Sequence, residues 1–516
     1  LTSLNTYFVD SFAGLGGATN LTTLYVSNTS FVSKQMGTSD IEQFPTSLET
    51  LTLNNIDIAP DTDFSHLTSL RALYLTVGDV SSGDYWATQL SSLSPLFDSD
   101  NNYDVTVQGM FPASLTTLSV AGRTSVTFPA FFTSLALSDG SALPALTTLD
   151  LSGTNVIDLS PLPATVTSLN LTQRLIDDDY LSTLPIRDLS SIPSTVTELI
   201  VGSMFSINLD FIDYLPNLVH LEISNCNILD LSKLSQVKDT LEYLSFHDVF
   251  VLCDFSVLAE LKTLKYLELD DMDISTPEFP DISSNTELAL DISSYNVTIN
   301  SYDFLNGATN LESLSFGYGD ECTDIPDMSN FPNLKQLTME CYGLSTSDLN
   351  NIAQLTNLES LTLISNNSNF SDISALSSLS SLRTLDIDGS GLTDATIPSL
   401  PSLEYLRLPD SNYMYITAVP DLSTLPKLRT LNWSSYITNF SNLSTASSLQ
   451  SIVFSYLSIS DATSFSSVVS SLTGLTDLTV SVSSPGSTFD LGSATDLRYF
   501  EATGSWSDMS EAVLPP

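Results

Sequence analysis

The chain has 516 residues, of which 60 are acidic and 15 are basic, giving a formal net charge of −45 at pH 7. A surface this negative repels nucleic-acid phosphates and anionic lipid headgroups, so no nucleic-acid partner is expected. No run of about eighteen or more apolar residues occurs, so no membrane insertion is expected in this sequence. Composition is uniform from end to end, which predicts a single domain over 1–516.

A leucine pattern of the form L-x-x-L-x-L recurs along the whole chain, usually 20 to 27 residues apart, in about 21 copies. Alternate residues of an extended segment point to opposite sides, so the leucines of each copy are predicted to face a core. The clear copies, in chain order, begin at Leu21, Leu48, Leu70, Leu115, Leu146, Val166, Val196, Leu218, Leu241, Leu264, Leu311, Leu334, Leu358, Leu382, Leu403, Leu428, Leu449, Leu475 and Leu497, with weaker copies at Leu1 and around Leu290.

One copy is more complete than the others. Leu218, Leu221, Ile223, Cys226 and Ile228 fit L-x-x-L-x-L-x-x-[N/C]-x-L, the consensus of the leucine-rich-repeat superfamily. The chain resembles that superfamily over essentially all of its residues, and some of its repeats resemble the short-repeat class of internalin-like bacterial surface proteins. The resemblance implies an α/β solenoid with one short parallel strand per repeat.

The segments between the copies are short and contain Ser, Asp and Pro, which predicts return segments made of turns and 3₁₀ pieces. The stretch 77–111 breaks the spacing and is predicted to be an irregular insertion. Within it, Asp98, Asp100, Asn102 and Asp104 have the alternating spacing of the first half of an EF-hand loop. Tyr103 stands where the loop needs glycine, so these residues are a weak calcium candidate, and no other metal site is expected.

Little in the sequence indicates catalysis. The three histidines have no serine or cysteine nucleophile motif near them, so no catalytic residue, no cofactor and no enzymatic activity are expected. Cys226 occupies a ladder position that is buried in this repeat type and is predicted to be a core residue. Cys322 and Cys341 lie just outside the leucine positions of adjacent repeats and are the better candidates for a disulfide.

Sequons are no more frequent than the Asn, Ser and Thr content predicts, so their number does not establish glycosylation. Asn366 is expected to be buried in the ladder, whereas Asn20, Asn439 and Asn442 are expected on accessible turns. The candidate N-glycosylation sites are Asn20, Asn28, Asn170, Asn296, Asn369, Asn432, Asn439 and Asn442.

The outward residues of the strands form the natural ligand surface of a stacked array. They are mostly Thr, Ser, Asp and Tyr, and tyrosines are favoured in recognition surfaces. The predicted binding face contains Thr50, Thr52, Asp150, Tyr243, Tyr266, Tyr405 and Tyr499.

Two functions fit these features. Neither end has the appearance of a capping repeat, and joining Pro516 to Leu1 would closely mimic the internal segment 143–149. We therefore expect an extracellular or cell-surface protein with a structural, adhesive role that stacks head to tail into a filament or belongs to a longer array. The alternative is a receptor-type module that binds a protein or a glycan on its strand face.

Overall fold

The computed structural model has 21 strands in the residues that it describes, and the chain divides into two compact units, Leu1–Thr263 (unit one) and Leu264–Pro516 (unit two). The single domain predicted over 1–516 stays a prediction. The residues described by the structure are 1–7, 12–27, 36–54, 56, 58, 62–76, 111–121, 143–153, 159, 162–172, 189–251, 255–270, 282, 285, 288–292, 305, 307–317, 325–341, 343–364, 372–388, 397–408, 418–434, 437, 439–457, 462–482 and 490–504.

Unit one contains ten strands in its described residues. Each pairs in parallel with the next along the chain. They are β1 (Ser3–Tyr7), β2 (Thr23–Ser27), β3 (Thr50–Asn54), β4 (Ala72–Thr76), β5 (Thr117–Ser119), β6 (Thr148–Asp150), β7 (Ser168–Asn170), β8 (Glu198–Ile207), β9 (His220–Ile228) and β10 (Tyr243–Val251).

Unit two contains eleven strands in its described part, again paired in parallel in chain order. They are β11 (Tyr266–Asp270), β12 (Ala289–Ile292), β13 (Ser313–Phe316), β14 (Gln336–Glu340), β15 (Ser360–Ile364), β16 (Thr384–Asp388), β17 (Tyr405–Leu408), β18 (Thr430–Ser434), β19 (Ser451–Leu457), β20 (Asp477–Val482) and β21 (Tyr499–Gly504). Every predicted copy of the leucine pattern thus has its strand, which confirms the leucine-repeat solenoid.

The register of the strands places the repeat leucines side by side in the core. Leu337, Leu361 and Leu385, for example, are paired across β14, β15 and β16, and each is at most 1% exposed. A fully buried leucine contributes about 1.5–3 kcal/mol relative to an exposed one, and each repeat needs its neighbours to bury its own. The leucine spacing therefore determines the pairing.

The return segments contain turns and short helices, as the sequence predicts. Asp at the first position of an Asp-x-Ser motif accepts a backbone hydrogen bond at the start of several of them. Asp327 caps the helix Met328–Asn330 in this way, accepting from the Ser329 N–H over 3.0 Å, and Asp372 accepts from the Ser374 N–H over 2.9 Å. The α-helices among the described residues are α1 (Thr38–Ile41), α2 (Thr346–Ile352) and α3 (Ala462–Ser471). The 3₁₀ helices there are Leu15–Gly17, Leu189–Ser191, Leu209–Tyr214, Ser232–Val237, Ser256–Glu260, Met328–Asn330, Ser374–Ser378 and Ser441–Thr445.

Strands β8 to β10 continue past the usual end of the repeat strand. Ser203, Asn225 and Asp248 have left-handed backbones, with φ between 50° and 57°, and each turns its strand through a corner. Beyond the corner the pairing resumes, as between Cys226 and Val249. Three neighbouring repeats therefore hold a non-glycine residue in a conformation that favours glycine, which is a cost that the surrounding pairing must offset.

The predicted insertion at 77–111 lies outside the described residues except for Phe111. That residue is buried, and its ring stacks on Phe64 with centroids 5.9 Å apart. On either side of the insertion, β4 and β5 pair directly, with Leu73 opposite Leu118. The long connection therefore leaves the leucine register unchanged.

Candidate binding surface on the strands

The residues that alternate with the buried leucines form the outward side of each sheet, called the strand face below. In β15, Leu361 and Leu363 are buried, whereas Ser360, Thr362 and Ile364 between and beside them are half-buried. Neighbouring strands bring equivalent outward residues next to one another, at a spacing of about 4.8 Å. Each unit therefore presents an ordered array of side chains that a ligand can contact.

The predicted binding-face residues all lie on strands and point outward, but they do not form one cluster. In unit one, the Asp150 carboxylate accepts hydrogen bonds from the Ser119 hydroxyl at 2.9 Å and from the Ser152 N–H at 2.9 Å. In unit two the tyrosines are dispersed. The half-buried residues are Thr50, Thr52, Asp150 and Tyr243 in unit one and Tyr266 and Tyr405 in unit two, and Tyr499 is 51% exposed.

An arginine held by two carboxylates is the most structured feature of the unit-two face. Arg407 on β17 places Nη1 3.1 Å from Asp386 Oδ1 and Nη2 2.7 Å from Asp388 Oδ2, both on β16. Burial raises the pKa of the Asp386 carboxyl above its ordinary value, although Arg407 acts in the opposite direction. Tyr405 lies two residues before Arg407 on the same face, so the four side chains make a preorganised polar and aromatic cluster.

A second cluster lies on the unit-one face at β9 and β10. The His220 ring stacks on Tyr243 with centroids 3.9 Å apart and planes 5° from parallel. His220 Nε2 lies 2.7 Å from Glu222 Oε1 on its own strand. The sequence indicates that these residues share a face. It does not show that the ring of Tyr243 fixes the orientation of His220, because that contact joins two repeats.

Asparagine side chains that join neighbouring repeats are structural elements that the sequence alone did not reveal. Asn333 Nδ2 donates to the Thr309 carbonyl at 2.9 Å, and Asn357 Nδ2 donates to the Pro332 carbonyl at 2.8 Å. Each links a turn to the preceding repeat. The signal is an asparagine directly before the first leucine of a copy, outside the ladder position where asparagine was expected.

The structure adds little support for a metal site or for a catalytic residue. Asp98, Asp100, Asn102 and Asp104 lie outside the described residues. In the part of the chain that the structure covers, no group of three or more His, Cys, Asp or Glu residues could hold a metal ion. Cys226 is buried, and burial raises its thiol pKa to about 12. That thiol stays protonated at neutral pH and is suited to a core, not to nucleophilic attack.

Cys341 is disulfide-bonded, and its partner lies outside the described residues. The predicted partner, Cys322, also lies there, so the pairing of Cys322 with Cys341 stays a prediction. Cys226 is a free cysteine. The disulfide is therefore placed at the end of β14, where the leucine positions of that repeat stop.

The predicted glycosylation sites differ in the exposure and the hydrogen bonding of the asparagine side chain. Asn20 and Asn439 are exposed, whereas Asn170 and Asn432 are half-buried outward residues of β7 and β18. Asn442 is half-buried, and its Nδ2 donates to the Val419 carbonyl at 2.9 Å. Asn28, Asn296 and Asn369 lie outside the described residues, as does Asn366.

Comparison with known proteins establishes the fold. Residues 286–445 match a family model described as the leucine-rich repeats of the FBD-associated F-box protein At5g56370. The mouse RP105/MD-1 complex structure has a TM-score of 0.55 at 14% identity, covering 97% of this chain and 91% of that one. The TLR13–ssRNA13 complex has a TM-score of 0.54 at 17% identity, covering 98% and 81%. The chain has the leucine-rich-repeat fold.

Other comparisons of this leucine-rich-repeat protein are weaker. An internalin from Listeria monocytogenes has a TM-score of 0.40 at 20% identity and covers 69% of this chain and 90% of its own. At that score it does not distinguish among leucine-rich-repeat subfamilies. No curated protein sequence matches significantly. Among the described helices, none is both long and apolar enough to span a membrane.

Proposed function

We propose that this leucine-rich-repeat protein is a non-enzymatic binding module that holds a protein partner on the strand face of unit two, around Arg407. The observation that carries the proposal is the clamped geometry of Arg407 between Asp386 and Asp388 beside Tyr405. Arg and Tyr are the side chains that most often anchor protein interfaces. An anchor held in place before binding loses less side-chain entropy when the partner arrives.

The fold agrees with this role. The structural comparison with mouse RP105 is a complex of that protein with MD-1, and the TLR13 structure contains ssRNA. A nucleic-acid ligand does not suit this chain, because its net charge of −45 would repel phosphates. Besides the two clamping aspartates, the strand face of unit two also carries acidic Asp291 on β12 and Glu340 on β14. We therefore expect a basic partner surface whose association slows as ionic strength rises.

Photo-crosslinking tests this proposal directly. A photo-reactive amino acid replaces Thr384, which is paired with Tyr405 on the face, or Thr424, an exposed return-segment residue that serves as the control. In medium or extract from the source organism, we expect a discrete protein crosslink from position 384 and none from 424. Tyr405→Ala and Arg407→Ala should each weaken it, since anchor residues contribute about 2 kcal/mol or more. Equal crosslinking at both positions, or no effect of either alanine, would contradict the proposal.

We also propose an extracellular or cell-surface location. The disulfide at Cys341 supports it, because disulfides persist mainly in oxidising compartments. Head-to-tail assembly and an adhesive role stay predictions from the sequence. Electron microscopy of the native material tests them, since stacking of one chain per axial repeat predicts filaments with a repeat near or below about 100 Å. Discrete particles would reject the filament.

A further inference from the structure

The strand face of β1–β7 is almost free of charge. Among the outward side chains that the structure describes there, Asp150 is the only ionised one, in a chain of net charge −45. The remaining outward residues are Ser, Thr, Asn, Ala and Tyr. They are Ser3, Asn5, Thr23, Tyr25, Ser27, Thr50, Thr52, Asn54, Ala72, Tyr74, Thr117, Ser119, Ala121, Thr148, Ser152, Ser168, Asn170 and Thr172.

Two tyrosines on this face occupy equivalent positions in two strands that have a third strand between them. Tyr25 on β2 is paired with Thr52 on β3, which is paired with Tyr74 on β4. All three side chains are half-buried. At about 4.8 Å per strand, the two tyrosines are separated by about 10 Å, with a small hydroxyl residue between them. Thr52 therefore lies on the face between two aromatic residues.

One of the two rings is held in place from the next strand. Asn54 on β3 donates its Nδ2 to the Tyr25 hydroxyl at 3.2 Å, and the same nitrogen lies 3.4 Å from the Ser27 hydroxyl. This hydrogen bond ties the hydroxyl end of Tyr25 to the neighbouring strand. A ring held in this way loses less side-chain entropy when a ligand packs against it.

We propose that the strand face of β2–β4 binds a linear, uncharged polysaccharide. The apolar C–H faces of its sugar rings would pack on Tyr25 and Tyr74, since tyrosine combines an apolar ring with a polar tip. Sugar hydroxyls both donate and accept hydrogen bonds, as do the side chains of Thr52 and Asn54 between and beside the rings. A neutral ligand also avoids the repulsion that the net charge of the chain imposes on anions.

A protein partner fits this face less well than it fits unit two. Protein interfaces are enriched in Arg as well as in aromatic residues, and the described outward residues of β1–β7 contain no Arg. The ring spacing also matches a polymer of regularly repeated rings better than an irregular protein surface. This glycan site lies in unit one and does not depend on the protein-binding role proposed for unit two.

The test uses the full chain and a fixed panel of linear hexasaccharides of glucose, mannose, xylose, galactose and N-acetylglucosamine, with an oligogalacturonate of the same length as the charged comparison. Binding is measured by isothermal titration calorimetry. We expect at least one neutral hexasaccharide to bind and the oligogalacturonate not to bind. Tyr25→Ala and Tyr74→Ala should each weaken binding about tenfold, whereas Tyr25→Phe, which keeps the ring, should retain most of it.

Tyr214→Ala is the matched control, because it removes an exposed tyrosine from a return segment of unit one, away from the strand face, and should leave sugar binding unchanged. Circular dichroism of each variant verifies that the fold is retained. The proposal is overturned if no neutral hexasaccharide binds at millimolar concentration, if the charged oligosaccharide binds as well as the neutral ones, or if binding survives both alanine substitutions. A protein that crosslinks to this face in place of a sugar would also overturn it.

Discussion

Lys335 places its Nζ 2.7 Å from Oε1 of Glu312, the equivalent residue of the preceding repeat. Both lie directly before the strand, and the backbone links them as well, since the Lys335 N–H donates to the Glu312 carbonyl at 2.8 Å. The same position alternates in sign over six consecutive repeats. In chain order it holds Glu312, Lys335, Glu359, Arg383, Glu404 and Arg429.

This charge column should contribute to the stability of unit two. The hydrogen bond to Glu312 raises the pKa of Lys335. Lys335→Glu would place three acidic residues in succession and is expected to lower the urea midpoint, with the loss shrinking as salt is added. Lys427→Glu, at an exposed turn residue before β18, makes the same change in net charge and should have a smaller effect. An equal loss in the two variants would mean that only net charge matters.

The aspartates at the start of return segments predict a defined dependence of stability on pH. Hydrogen bonds from the Ser374 hydroxyl and N–H hold the pKa of Asp372 below its ordinary value. Unfolded aspartate titrates near about pH 3.9, so the folded chain takes up this proton later than the unfolded chain as pH falls. The stabilisation is therefore complete well above that pH, declines as the pH falls towards the lowered folded pKa, and is absent below it.

Chemical denaturation of Asp372→Asn across pH 2–7 measures this effect. Asparagine can still accept a hydrogen bond from Ser374 but carries no negative charge. The variant should therefore be less stable than the natural chain at pH 6–7 and should converge with it at low pH. Asp239→Asn removes one negative charge from an exposed turn and corrects for the general relief of repulsion. Parallel pH profiles of stability for the two variants would show that the contribution of Asp372 does not depend on the ionisation of its carboxyl group.

Gly202 in the middle of β8 is required for close packing of two strands. A Cβ there would lie 2.1 Å from the Ser224 hydroxyl oxygen and 2.8 Å from the Ser224 carbonyl oxygen on β9. The hydroxyl can rotate away but the carbonyl cannot, so Gly202→Ala should cost about 1–3 kcal/mol of unfolding free energy. Gly17→Ala, where a Cβ meets nothing within 4 Å, should be close to neutral in the same denaturation experiment.

Glycosylation, if the chain passes through a secretory pathway, should favour Asn439 over Asn442. Asn439 is exposed, and its Oδ1 accepts a hydrogen bond from the Ser441 N–H at 3.1 Å. Because a sugar is attached to Nδ2, glycosylation leaves this hydrogen bond intact. Asn442 uses its Nδ2 in the bond to Val419. Enzymatic deglycosylation in ¹⁸O-water followed by peptide mass spectrometry measures both sites, and occupancy of Asn442 alone would contradict this order.

The two described cysteines should differ in reactivity. The folded chain, treated with a maleimide without reductant, should label neither Cys226, which is buried and protonated, nor Cys341, which is disulfide-bonded. Denaturant alone should expose Cys226, and denaturant with reductant should expose both. Peptide mapping under non-reducing conditions should recover Cys341 linked to Cys322, and a link to Cys253 would reject the predicted pairing.

The strands could be predicted from the sequence because the leucine at the centre of each copy is the residue that its strand buries. Leu361 on β15 and Leu385 on β16, for example, are paired in this way. Contacts between repeats were not predictable in the same way. The pairs of Lys335 with Glu312 and of Arg407 with Asp386 join residues about 20 positions apart, whose closeness follows from the register. The left-handed backbone of Asn225 and its neighbours was also not indicated, because no glycine marks those positions.

The pairing of Leu73 with Leu118 across a long connection has an evolutionary consequence. Each strand needs only a matching leucine on the strand before it, whatever lies between them, so insertion of new sequence in a connection leaves both neighbours able to pair. Gain or loss of an entire repeat likewise restores the same leucine match. A lineage carrying this protein could therefore acquire new loops or a different number of repeats by single recombination events, and foreign peptides grafted between β4 and β5 should be displayed without refolding the remainder.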